Sequence, residues 1–403
     1  MNKITLSFII TALFSILLFS GCKEAETKDT TKETLENISK EIKSKFAPDG
    51  RSTTYEVNIN TIGEQYVLKG VTTKSHIKDS LLKRISGSKI SVIDSIEVLP
   101  SASLGDKLFG ITTLSVANLR TSPSYSSESA TQILLGTPVK VLEKRSYWLR
   151  VITPEGYIAW VTEGSISRIT ENEYQSWKKA KKYIVNTHYT LLRETPSDKG
   201  TIVCDAVWGG ILESKGVRTK GFTEVTLPSG KTAYAQTAHL TEFNSWLATR
   251  KPNAENIINT GKQFLGFPYM WGGTSVKAMD CSGFTKNVFY LNGVVLLRDA
   301  SQQGYTGEAV ELTADFSNLK PGDLLFFGNK ATETRKERFT HVGIYLGDKA
   351  FIHAATSVRI NSLDPNAPDY YESSNRLISA RRMIGNEDSG KDVVSIINHP
   401  YYF

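Results

Sequence analysis

Three residues have the types and order for nucleophilic chemistry: Cys281, then His341 and His353 downstream. A thiolate attacks a carbonyl, and the reaction needs a base that takes the thiol proton and later returns it to the leaving amine. Histidine titrates in the right range for His341 to be that base. A third polar group must fix the tautomer and orientation of the base. Cys281 stands in Asp280-Cys281-Ser282-Gly283, followed by Phe284, Val288 and Leu291 at i, i+4 and i+7, the period of a helix with one stripe on a core. Asp280 suits the N-cap and Gly293 the stop. The sulfur then lies in the first turn, where the helix dipole favours thiolate. A cysteine taken alone is more often a small buried hydrophobe, and a strand histidine a hydrogen-bonded core group. The glycines at 272, 273 and 283 argue for close backbone approach at a cleft, and two histidines downstream of one cysteine argue for catalysis.

The elements that position the histidines read as strands, residues 340–346 and 351–355, turning around Gly347-Asp348-Lys349. Side-chain parity matters here. A three-residue loop pairs His341 with Ala355 and puts His353 on the same face as a diagonal neighbour, whereas a two-residue loop sends the rings to opposite faces. A catalytic pair therefore predicts an odd loop or a bulge. Backbone N–H groups at the helix start, including that of Cys281, are the expected oxyanion donors.

These pieces resemble the NlpC/p60 cell-wall cysteine peptidases, a papain-like family. The resemblance is carried by Tyr269-x-Trp271-Gly272-Gly273, Asp280-Cys281-Ser282-Gly283-Phe284, Leu319-x-Pro321-Gly322-Asp323-Leu324, His341-Val342-Gly343-Ile344-Tyr345 and Ile352-His353-Ala354. It covers about the last third of the chain. It implies Cys281, His341 and His353 as the catalytic set. A subgroup with SH3-like domains ahead of the peptidase, the YkfC type, cuts murein peptides between D-Glu and the diamino acid and needs a free N-terminal L-Ala. By that likeness Asp280, Ser282 and Tyr157 recognise the L-Ala amine, Trp271 and Ser301 line the substrate site, and Glu128 is a further amine ligand. Asp280 could form a charge-assisted hydrogen bond to an ammonium group. Cap, barrel core and packing are the plain alternatives for Asp280, Tyr157 and Trp271.

The chain has 403 residues, room for three or four domains, with a net charge of +7 spread along its length. No dense basic stripe interleaved with aromatics supports nucleic-acid binding. The three cysteines, Cys22, Cys204 and Cys281, lack metal-ligand spacing, and neither a metal nor a cofactor is expected. Cys204, in a strand-like run, reads as inert core.

In order, residues 1–21 read as a signal peptide, with Lys3, an apolar run and Ser20-Gly21 before Cys22. This resembles a bacterial lipobox, which implies that Cys22 is lipidated and anchors the protein to a membrane, with the envelope as its location. Residues 22–50 read as a polar tether with a short helix near 35–42. Residues 51–110 form a small α/β unit, a spacer or docking module, with His76 on a helix surface. Residues 111–170 and 183–245 repeat one another: Leu119-Arg120-Thr121-Ser122-Pro123 echoes Leu192-Arg193-Glu194-Thr195-Pro196. The first copy resembles bacterial SH3-like domains and the second is more diverged, with residues 171–182 as a helical linker. Residues 246–385 are the peptidase domain, entered through a helix over 246–262. Residues 386–403 are a tail that lies on a domain surface or is loose, with His399 structural or idle. The fold class is therefore multidomain α+β: a small N-terminal α/β unit, two SH3-like β-barrels and a C-terminal papain-like peptidase domain.

The leading reading is a monomeric, lipid-anchored cysteine endopeptidase acting on the γ-D-Glu–L-diamino acid bond (Lys or diaminopimelate) of murein peptides. Two alternatives stand beside it: a non-catalytic cell-wall binding lipoprotein, and an amidase or acyltransferase on another envelope substrate.

Overall fold

The computed structural model describes residues 29–390 and 392–403. The expected signal peptide and Cys22 lie outside the described residues. Among the described residues, no helix is long and apolar enough to cross a membrane.

The helix Thr30–Phe46 starts where the Asp29 carboxylate accepts from the Lys32 N–H at 2.9 Å. Leu35, Ile38 and Ile42 recur on one face and are buried against Leu68, Ile77 and Leu81. The tether reading is corrected from residue 30 onward: an amphipathic stripe finds a partner surface, and the segment folds as part of the next unit. That unit is a three-stranded sheet, Tyr55–Ile62, Gln65–Thr72 and Val92–Val98 in that spatial order. The first pair is antiparallel and the second parallel. The parallel pair needs a crossover, supplied by the helix Ser75–Ser86, on which His76 is exposed.

Two antiparallel sheets follow, over residues 109–169 and 182–242. They share a local device. The register slips after Leu119 in one and after Leu192 in the other, and the next arginine pairs with an aromatic, Arg120 with Trp160 and Arg193 with Tyr234. Each guanidinium then ties back its own loop: Arg120 donates to the Ser127 carbonyl at 2.6 Å and Arg193 to the Gly200 carbonyl at 2.7 Å. The helix between the sheets, Glu171–Lys179, begins at a Thr170–Glu173 capping box.

The peptidase region is entered through two helices, Phe243–Ala248 and Ala254–Lys262, where one was expected. Pro252 between them lacks the N–H a continuous helix needs, and Asn253 caps the second. A six-stranded antiparallel sheet follows in the spatial order Glu308–Val310, Leu377–Arg382, Leu324–Asn329, Arg338–Gly347, Ala350–Ala354, Val358–Ser362. Ile344 and Ile352 on one face bury the helix Cys281–Tyr290 through Phe284 and Val288. Tyr345 and Phe351 face the other way, into a smaller core with Phe327. The tail returns to the body of the molecule: Ile396, Tyr401 and Tyr402 are buried with Tyr174, Trp177, Phe243 and Val295. This decides between the two readings of the tail.

Candidate active site

Cys281 opens its helix as expected, with the Asp280 carboxylate accepting from the Gly283 N–H at 2.7 Å. Phe284, Val288 and Leu291 are buried and pin the helix to the sheet, which fixes the thiol. The glycines mark close approaches: at Gly272, with φ +79°, a Cβ would lie 2.6 Å from the Ser129 carbonyl oxygen of the sheet over residues 109–169. The sulfur lines a cavity of about 580 Å³ between the peptidase domain and that sheet. It is 7 % exposed and takes a hydrogen bond from the Val342 N–H, the residue after His341.

The expectation of a lowered thiol pKa is corrected. Burial first, and the Asp280 charge second, push the thiol up to about 12, outweighing the N–H groups of Val342 and Ser282. Burial first and the neighbouring His353 second bring His341 down to about 3. The resting pair is therefore neutral, thiol beside imidazole, rather than thiolate beside imidazolium.

The two rings sit on one face, as the catalytic reading requires. The turn has two residues between Gly347 and Ala350, and a bulge between Tyr345 and Gly347 restores the parity. His341 Nε2 and His353 Nδ1 are 2.6 Å apart. His353 Nε2 lies 2.9 Å from Asn361 Oδ1, and Asn361 Nδ2 donates to the Asp369 carbonyl at 2.7 Å. That last bond orients the amide, so Oδ1 accepts from His353 Nε2–H. Neutral His353 then offers Nδ1 as an acceptor, His341 donates Nε2–H to it, and the lone pair of His341 is left on Nδ1. Asn361 was missed in the sequence; it stands eight residues after His353 with no motif to mark it.

Asp280 has a partner that the sequence did not reveal. Its carboxylate is held by the guanidinium of Arg298, which is fully buried: Nη2 to Oδ2 at 2.6 Å and Nη1 to Oδ1 at 3.1 Å. The Gly272 N–H also donates to Oδ2, at 2.9 Å. Arg298 further donates to the hydroxyls of Ser282 (3.0 Å) and of Thr131 on the strand Ser129–Leu134 (2.9 Å). This ion pair is buried yet lines the cavity together with Ser282. Asp299 carries cations of its own, Arg51 at 2.7 Å and Arg298 at 3.8 Å. It lines the same cavity, and burial first and its carboxylate second raise the Tyr157 hydroxyl well above the usual range. Asp299 and Arg298 are residues that the sequence reading passed over, though they stand two and three positions before Ser301.

The remaining candidates converge on the same cavity: Tyr157, Ser282, Ser301, Glu128 and Trp271 all line it. Trp271 donates its Nε1–H to Glu128 Oε1 at 2.7 Å, joining the peptidase domain to the sheet over residues 109–169. Cys204 lies far along the chain on the strand Ile202–Val207, half-buried, with its thiol pushed up to about 11 by burial first and Asp205 second. Among the described residues, no group of three or more His, Cys, Asp or Glu side chains could hold a metal ion.

A thiol at the start of a helix, packed on an antiparallel sheet that carries a histidine relay, defines a cysteine peptidase. Residues 266–381 match the NlpC/P60 family and residues 115–167 match the bacterial SH3 domain. A γ-D-glutamyl-L-lysine dipeptidyl-peptidase of Bacillus cereus is 34 % identical over 252 residues, covering 60 % of this chain and 72 % of that one. Dipeptidyl-peptidase 6 of Lysinibacillus sphaericus is 28 % identical over 66 % of this chain and 95 % of its own. The crystal structure of an NlpC/P60 family protein from Bacillus cereus is similar with a TM-score of 0.58 and 26 % identity, over 68 % of this chain and 99 % of that one. The chain belongs to the NlpC/P60 family.

Proposed function

We propose that this protein is a lipid-anchored endopeptidase of the bacterial envelope that hydrolyses the γ-D-Glu–L-diamino acid bond of murein peptides bearing a free N-terminal L-Ala. The observation that carries the reading is one cavity lined by Cys281 together with the carboxylate residues Asp299 and Glu128 and by Tyr157. An ammonium group placed among those carboxylates satisfies them, and the peptide then extends toward the sulfur. The names of the Bacillus and Lysinibacillus relatives, dipeptidyl-peptidases, agree with removal of two residues at a time.

In this reading Cys281 is the nucleophile and His341 Nδ1 takes its proton as the sulfur attacks the γ-carbonyl of D-Glu. The Cys281 N–H supports the oxyanion. His341 returns the proton to the leaving amine of the diamino acid, and water then releases L-Ala-γ-D-Glu from the sulfur. His353 and Asn361 hold the tautomer. Ser282, Ser301 and Trp271 border the peptide, while Asp280 acts through Arg298 to shape the pocket. The segment 183–245 serves as a second SH3-like barrel and residues 51–110 as a docking unit. The residues before Thr30 carry the anchor at Cys22, and the protein works as a monomer.

The test is incubation of the purified protein with L-Ala-γ-D-Glu-L-Lys, its diaminopimelate counterpart and an N-acetylated form, with product masses read out. Release of L-Ala-γ-D-Glu from the free-amine peptides alone supports the reading. Equal cleavage of the blocked peptide contradicts the amine requirement, and other products support the amidase or acyltransferase alternative.

A further inference from the structure

We propose that Arg51, from the N-terminal unit, is a specificity-determining residue that fixes where the substrate peptide must begin. The inference rests on the free-amine reading above and names the wall that enforces it.

Arg51 lies outside both family-matched regions, yet its side chain enters the catalytic cavity. Nη1 donates to Asp299 Oδ2 at 2.7 Å and to the Ser301 hydroxyl at 2.9 Å. Nε and Nη2 donate to the two oxygens of Asp49, each at 2.8 Å. Gln302 Nε2 donates to Asp49 at 3.3 Å, and the Arg51 carbonyl accepts from the Ile158 N–H at 2.6 Å, just past Tyr157. The guanidinium is thus held on several sides, in the fork geometry that carboxylates favour.

Behind it lies a second cavity of about 600 Å³, bordered by Asp49, Arg51, Glu155, Ser301, Gln302 and His399. Arg51 and Ser301 belong to the walls of both cavities. The guanidinium is therefore a partition between the cleft and a space large enough for more peptide. A substrate whose ammonium reaches Asp299 ends at this partition. A peptide with one more residue ahead of L-Ala has to displace Arg51, which leaves Asp49 without its arginine and Asp299 with Arg298 alone, 3.8 Å away.

The experiment compares kcat/KM for L-Ala-γ-D-Glu-L-Lys and Gly-L-Ala-γ-D-Glu-L-Lys in the full chain and in Arg51→Ala, Arg51→Lys and Asp49→Ala. The expected result is that Arg51→Ala raises the ratio of extended to free-amine cleavage by about tenfold or more. Asp49→Ala, which keeps the arginine but releases it, raises the ratio less, and Arg51→Lys, which keeps the charge but loses the fork, also raises it less than Arg51→Ala. Asp49→Ala also answers the question should Arg51→Ala fail to fold. An unchanged ratio in both variants overturns the proposal. A proportional loss on both peptides overturns it as well, because it assigns Arg51 a structural role only. Failure of the unaltered chain to cut either peptide removes the substrate reading, and the proposal with it, which is a different result from an unchanged ratio.

Discussion

At the residue scale the thiol and its base rest uncharged. A base is useful only while neutral, and a histidine whose pKa is lowered stays neutral further into acid. With His341 brought down by burial first and His353 second, the acid limb of kcat/KM should fall below the ordinary histidine value of about 6.5. Activity retained at about pH 5 in a pH profile agrees with this; loss of activity centred on the ordinary value does not. Asn361 contributes only through His353. Asn361→Ala should lower kcat on the order of tenfold with little change in KM, because the tautomer that leaves the lone pair on His341 Nδ1 is no longer enforced. Arg298→Ala should be far more damaging to the fold. It strands the buried Asp280 carboxylate, at a cost of about 3–5 kcal/mol readable in urea unfolding.

At the scale of elements, the parts that sequence made legible are those governed by local rules. The stripe Phe284, Val288, Leu291 and the cap at Asp280 announced the cysteine helix, and the parity argument required the irregularity found beside Gly347. The repeat of Leu-Arg across the two sheets was legible because the arginine does the same job twice. What stayed hidden depends on partners distant in the chain. Asp280 carries a cap motif in sequence, but its occupation by Arg298 is a tertiary fact. Arg51 meets Asp299 across 248 positions. The helix Thr30–Phe46 looked like a polar tether because only its narrow stripe is apolar, and its partner surface comes from later residues. The sheet over residues 109–169 also grips the peptidase here: Gln132 accepts from the Thr274 N–H at 2.9 Å and from the Ser275 hydroxyl at 3.1 Å. Gln132→Ala leaves these buried donors without their acceptor and should cost about 1–3 kcal/mol, measured by denaturant midpoint.

At the scale of the whole molecule, the cavity is a property of several units together. The peptidase domain supplies Cys281, Asp280 and Asp299, the sheet over residues 109–169 supplies Tyr157 and Glu128, and the N-terminal unit supplies Arg51. The tail holds these units from behind, with Tyr174 Oη donating to the Tyr401 carbonyl at 2.8 Å. Removing residues 393–403 exposes the surfaces that Ile396, Tyr401 and Tyr402 cover. The loss should be on the order of 5 kcal/mol and should lower the thermal midpoint. The central claim is that the Cys281 sulfur takes the acyl group of the peptide. Rapid quenching of the reaction with L-Ala-γ-D-Glu-L-Lys, followed by intact-mass and peptide mapping, tests it directly. The account predicts a transient L-Ala-γ-D-Glu thioester on Cys281, absent in Cys281→Ala, which does not turn over; turnover by Cys281→Ala, or an acyl group on another residue, would contradict it.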